Sequence, residues 1–181
     1  MNIKRMHHLF LTGEKQVGKS TLIRQFLAEQ KLEAGGFLTL PFQVSGQVKG
    51  HVLHSLMPLP PFENDSPVVI RLGERSYAPV IPVFETIGVK ILEESLAAPS
   101  LPLLVMDELG KAEREAKSFL DAVTRCLSGP KPILGILQKG GYPFFEKVAG
   151  HPDVNLFTVT EVNRAEAAAV IRDWARGVKL I

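Results

Sequence analysis

Nine residues, GEKQVGKST from Gly13 to Thr21, constrain this chain more than any others. They fit the spacing G-x-x-x-x-G-K-[ST] without a mismatch and directly follow the apolar run HLFLT. Such a loop works between a strand and a helix. Its glycines let the backbone turn tightly and aim N–H groups at phosphate oxygens, and the helix points its positive dipole end into the same cavity. The spacing therefore predicts a strand over 7–12 and a helix over 20–31. Between them Gly13, Glu14, Lys15, Gln16, Val17, Gly18, Lys19, Ser20 and Thr21 would cradle the phosphates of a nucleoside triphosphate. Lys19 would set a full charge against the β- and γ-oxygens, and the Ser20 hydroxyl would ligate Mg²⁺. Lys15 either adds charge near the γ-phosphate or is solvated.

A phosphate loop needs a carboxylate at the end of a neighbouring strand, and LLVMDE supplies it. The apolar residues 103–106 read as a buried strand with Asp107 at its carboxyl end, the edge at which open parallel sheets bind ligands. Asp107 would hold the metal through water, and Glu108 beside it would polarise the water that attacks the γ-phosphorus. A pure binding module has no use for that second carboxylate.

The remaining pattern alternates apolar runs with helical spacing. Residues 37–40 and 50–56 read as a hairpin turning at 45–47, after a helix stop at 34–36. Residues 57–67 read as a proline-rich surface loop. Two further strands are expected over 67–72 and 77–84, the second at an edge because of Pro79 and Pro82. Helices are expected over 86–96, 112–127 and 164–178, and strands over 132–137 and 154–159. This order implies an α/β fold, a mostly parallel sheet with helices on both faces and an antiparallel hairpin region at one side. With 181 residues the chain is expected to form one domain.

Taken together these residues resemble a nucleoside-triphosphatase family first described from thermophiles, which includes the human cancer-related nucleoside triphosphatase. FLTGEKQVGKSTLI looks like the family's opening strand and loop, and GGF with Thr39 is similar to its G-F-Y-T element. FETIGVKILEESL resembles the helix before the second motif. VMDELGKAE is similar to [IV]-I-D-E-I-G-K-M-E, matching at Asp107, Glu108, Gly110 and Lys111. ILGILQKG and DVNLFTVTEVNR resemble the last strands and the closing T-x-E-N-R element. The resemblance implies a P-loop, RecA-like three-layer sandwich and slow Mg²⁺-dependent hydrolysis of nucleoside triphosphates to diphosphates, with loose base preference. It carries over Lys111, as a phosphate or substrate contact or else a solvated lysine at a helix start. Asn163 with Arg164 is expected to cap the last helix.

One departure matters. Where the family runs E-E-V-R after G-F-Y-T, this chain reads Pro41, Phe42, Gln43 and Val44, and only Lys49 keeps a positive charge near the hairpin. Lys49 is therefore a substrate-contact candidate, and Arg71 and Arg75 are candidates for replacing the family's arginine. Turnover could be very slow, or coupled to a protein partner.

Other classes fit less well. DELG satisfies the D-x-x-G of signalling GTPases, but QKGGYP has Lys139 without an aspartate two positions on. A nucleoside or nucleotide kinase would bring an arginine-bearing lid, and here Arg114 sits between Glu113 and Glu115. A nucleotide-gated interaction module is the third alternative. A formal charge of +2 gives no strong nucleic-acid signal. No run of 18 apolar residues exists, and one cysteine, Cys126, fits a small core hydrophobe in a reducing compartment. The five histidines lack zinc-type spacing. A cytoplasmic location is expected.

Overall fold

Alternation along the strands decides which helix covers which face. In the computed structural model, which describes residues 6–61, 63–74 and 76–181, the chain builds one eight-stranded sheet. The elements are β1 (His8–Thr12), α1 (Lys19–Gln30), β2 (Gly35–Val44), β3 (Gln47–Ser55), β4 (Ser66–Arg71) and β5 (Tyr77–Pro79). Then come α2 (Ile81–Val83), running through a π turn (Phe84–Gly88) into α3 (Val89–Ala97), and β6 (Leu104–Leu109). A 3-10 turn (Lys111–Glu113), α4 (Lys117–Leu127), β7 (Ile133–Leu137), α5 (Pro143–Ala149), β8 (Val154–Thr158) and α6 (Arg164–Gly177) complete the chain.

The strand order is β5-β4-β3-β2-β6-β7-β1-β8. From β2 to β8 the neighbours are parallel, and from β2 to β5 they are antiparallel. Successive side chains of a strand point to opposite faces. Phe10, Leu104, Met106 and Ile133 therefore meet Phe84, Ile91, Phe119 and Val123 on one side. Leu9, Leu11, Val105, Leu134 and Ile136 meet Ile23 and Phe26 of α1 and Ile171 and Trp174 of α6 on the other. These are the three layers expected. Phe119 of α4 is fully buried, its ring 5.7 Å from that of Phe37 and 5.3 Å from that of Phe84. Burying each such side chain stabilises the sandwich by about 1.5–3 kcal/mol.

Several expected boundaries moved. Helix α1 ends at Lys31, which takes the left-handed conformation (φ 51°), so Gly35 and Gly36 open a strand instead of stopping a helix. The hairpin strands run longer than their apolar segments, because ladder bonds carry polar residues out to a turn at Ser45 and Gly46. The expected strand over 77–84 keeps only Tyr77–Pro79 and then turns helical at Ile81; as expected, it is the edge. Helix 112–127 begins only at Lys117, after the 3-10 turn. Helix α5 was not expected: seven residues opened by a proline are too few for a periodic signal. Arg75 lies outside the described residues.

His8 ties the amino end of the sheet together. Its Nε2 donates to the Leu127 carbonyl (2.9 Å) and its Nδ1 accepts from the Ile133 amide (3.2 Å), so the imidazole is neutral and fully engaged. Burial lowers its pKa to about 4. The unfolded chain takes up this proton near the ordinary histidine value, at higher pH than the folded one does. The contribution to stability is thus complete above about pH 6.5 and is lost as pH falls towards 4, by roughly 3 kcal/mol. In urea titrations from pH 7 to pH 4, the wild type should lose about that much more stability than His8→Gln; parallel curves would remove His8 as the source.

Candidate functional site

Helix α1 starts without a cap. Gly18, its N-cap, is left-handed (φ 95°) and offers no side chain, and the first turn holds no acidic residue. The orphan N–H groups of that turn stay open to an anion. Gly13 has φ 133°, and a β-carbon there would lie 2.2 Å from the Val159 carbonyl oxygen, so only glycine lets the loop pack on the end of β8. Glu14, Lys15 and Gln16 are exposed, Val17 is buried in the core, and Ser20 and Thr21 are half-buried.

Lys19 turns inward. It is 7% exposed, and its ammonium donates to the carbonyls of Gly13 (3.0 Å) and Glu14 (2.6 Å). Burial lowers its pKa, opposed by the charges of Glu108, Asp107 and Glu14. Ser20 Oγ donates to Asp107 Oδ1 at 3.0 Å, bridging α1 to β6. Asp107 is 3% exposed, and burial pushes its pKa up to about 6, against the pull of the Ser20 hydroxyl. The sequence-based strand end at Met106 is corrected: β6 continues through Asp107 and Glu108 to Leu109. The Asp107–Glu108 peptide is cis. Glu108 is half-buried, its amide donates to Thr39 Oγ1 on β2 (3.3 Å), and burial raises its pKa while Lys19 and Lys15 oppose the rise. The charges of Lys19 and Lys15 thus both favour the ionised carboxylate.

Ser20 and Asp107 are hard oxygen donors already in contact, a set that suits Mg²⁺ completed by phosphate oxygens and water. No cluster of three His, Cys, Asp or Glu with metal-binding geometry occurs among the described residues. Lys111 is exposed; its amide donates to Gln138 Oε1 (2.9 Å), which ties the turn after β6 to the end of β7. Lys49 bonds Gln47 Oε1 (3.0 Å) beside the hairpin turn. Arg71 is occupied by the carbonyls of Gly73, Glu74 and Val48. Neither bonds the phosphate loop. Arg114 pairs with Glu115 and lies over the Tyr142 ring, 5.9 Å from its centroid.

Sequence reasoning missed several neighbours. Lys139 of the loop after β7 pairs with Glu14 of the phosphate loop (3.0 Å). Its position two residues beyond the carboxyl end of β7 was the available signal. Glu113 is buried and accepts from the Gly110 amide, and burial pushes its pKa up to about 8. The expected cap at Asn163 is corrected. Asn163 is the N-cap by position, but its side chain turns back to bond the Thr160 amide (2.7 Å) and the Thr158 carbonyl (2.9 Å), clamping the loop after β8. The guanidinium of Arg164 then lies against Gly18.

The NTPase family model matches residues 8–171. Nucleoside-triphosphatase THEP1 of Thermotoga sp. (strain RQ2) is 30% identical over 158 residues, 86% of this chain and 88% of that protein. The human cancer-related nucleoside-triphosphatase is 30% identical over 177 residues, 87% of this chain and 90% of its own. The crystal structure of THEP1 from the hyperthermophile Aquifex aeolicus matches the fold with a TM-score of 0.70 at 23% identity, covering 91% of this chain and 96% of that one. The solution structure of the human protein gives 0.68 at 28% identity, over 92% and 96%.

Proposed function

This chain belongs to the NTPase family, and from that premise we propose that it hydrolyses nucleoside triphosphates to diphosphates and phosphate, with Mg²⁺ and with loose base preference. The observation that carries the reading is the meeting of α1 and β6. The Ser20–Asp107 bond brings the uncapped helix start, with its buried Lys19, to a strand whose next residue is a second, half-buried carboxylate, Glu108.

The α1 amides and Lys19 bind the β- and γ-phosphates, the ammonium giving up the Gly13 and Glu14 carbonyls for phosphate oxygens. Ser20 and Asp107 would hold Mg²⁺, which when bound neutralises charge on the β- and γ-oxygens. Glu108 takes a proton from water as the water oxygen attacks the γ-phosphorus and the bond to the β-bridging oxygen breaks. Thr39, through the Glu108 amide, fixes the strand that carries this base. Inorganic phosphate and a nucleoside diphosphate leave.

No helix among the described residues is long and apolar enough to cross a membrane. The reading places the protein in the cytosol, acting without a phosphoryl acceptor. With Mg²⁺ and ATP or GTP alone, the purified chain should release phosphate continuously. Release that appears only with an added nucleoside, nucleotide or protein would make it a kinase or a gated module instead.

A further inference from the structure

We propose that Arg164 seats the nucleoside half of the bound triphosphate by stacking its guanidinium on the face of the base. The inference rests on the hydrolase reading for one point, the direction in which the nucleotide lies. In the order β6-β7-β1-β8 the phosphate loop follows β1, Asp107 and Glu108 stand two strands to one side, and Arg164 follows β8 on the other side. With the γ-phosphate at Glu108, the α-phosphate and nucleoside leave the loop towards β8 and Arg164.

The guanidinium is presented flat. A β-carbon on Gly18 would lie 3.0 Å from Arg164 Cζ, 3.0 Å from Nη2 and 3.1 Å from Nε. Nearly equal distances of that size to three atoms of one plane are possible only above the plane. One face of the guanidinium therefore rests on Gly18, and the residue as a whole is exposed. None of the ion pairs among the described residues involves Arg164. Its carrier is held still: the Asn163 clamp fixes the loop, and Val159 packs backbone to backbone on Gly13. A planar cation with one face on Gly18, carried by an exposed residue at the rim of a phosphate loop, suits an aromatic ring. Every base has such a face, so stacking gives affinity without reading hydrogen-bonding groups. Loose base preference follows directly.

The test is calorimetric binding of ATP, GTP, CTP and inorganic tripolyphosphate, with Mg²⁺, to the full chain and to Arg164→Ala and Arg164→Lys. Arg164→Ala should weaken ATP and GTP about 10-fold or more, CTP less, and tripolyphosphate not at all. Arg164→Lys should not restore the loss, because an ammonium has no plane to stack. An equal loss for tripolyphosphate would mean a phosphate contact and would overturn the proposal, as would full rescue by lysine or unchanged nucleotide binding. If the wild type released no phosphate, the hydrolase reading would fall while these binding ratios still judged Arg164.

Discussion

Glu108→Gln should slow phosphate release from Mg-ATP by about 10²–10⁴-fold while nucleotide affinity stays within about threefold of wild type. The amide has the shape of the carboxylate but cannot take a proton from water. The Thr39 bond runs to the Glu108 backbone amide, so the substitution leaves the strand anchored. Nor does it touch the Ser20–Asp107 contact, so the phosphate and metal ligands remain in place. Burial already opposes charge on Glu108, and the charges of Lys19 and Lys15 favour its ionised form. A rate within threefold of wild type, with binding intact, would remove Glu108 as the base. Asp107 is the wrong substitute for it, because its Oδ1 is occupied by Ser20 and its side chain is almost fully enclosed.

Lys19→Met should lower phosphate release by about 10²–10³-fold and also weaken nucleotide binding at least about 10-fold, since the charge acts in both ground and transition states. Its second consequence runs the other way. Without nucleotide, the hydrogen-bond partners of this buried ammonium among the described residues are two carbonyl oxygens, and the charges of Glu108, Asp107 and Glu14 offset only part of the cost of its burial. Replacing it with an apolar stem of similar length should leave the unliganded chain at least as stable in urea unfolding. Activity is thus stored as a local conflict that phosphate resolves. Should the variant unfold more easily yet bind ATP normally, Lys19 would be a structural lysine.

How much of this could be read beforehand differs by element. The phosphate loop was legible because its chemistry is local: Gly13, Gly18, Lys19 and Ser20 must stand at fixed spacing on one turn. The β6 carboxylates were legible because an apolar run ends in two acids, although ladder pairing carried the strand three residues past Met106. Helix α5 was not legible, since seven residues hold too little periodicity to outvote its proline; β5 was legible as an edge strand, but not that it would end after three residues and turn helical. Glu113 reads as an ordinary acid at a helix start, and only the folded chain buries it. Lys139 and Arg164 depend on contacts across more than 120 residues of chain, with Glu14 and Gly18 respectively. The missing hairpin arginine drew attention to Lys49 and Arg71, whereas the guanidinium found on the phosphate loop comes from the last helix.

The three-residue edge strand has a bearing on life at high concentration. A long two-sided ladder such as β2–β3–β4 would ordinarily end in a row of open amides and carbonyls that a neighbouring chain could extend. Here the row stops at Tyr77, Ala78 and Pro79, and the proline has no N–H to donate before the chain turns away into a helix. The antiparallel half can therefore grow outward from the catalytic half without offering other molecules a template for aggregation.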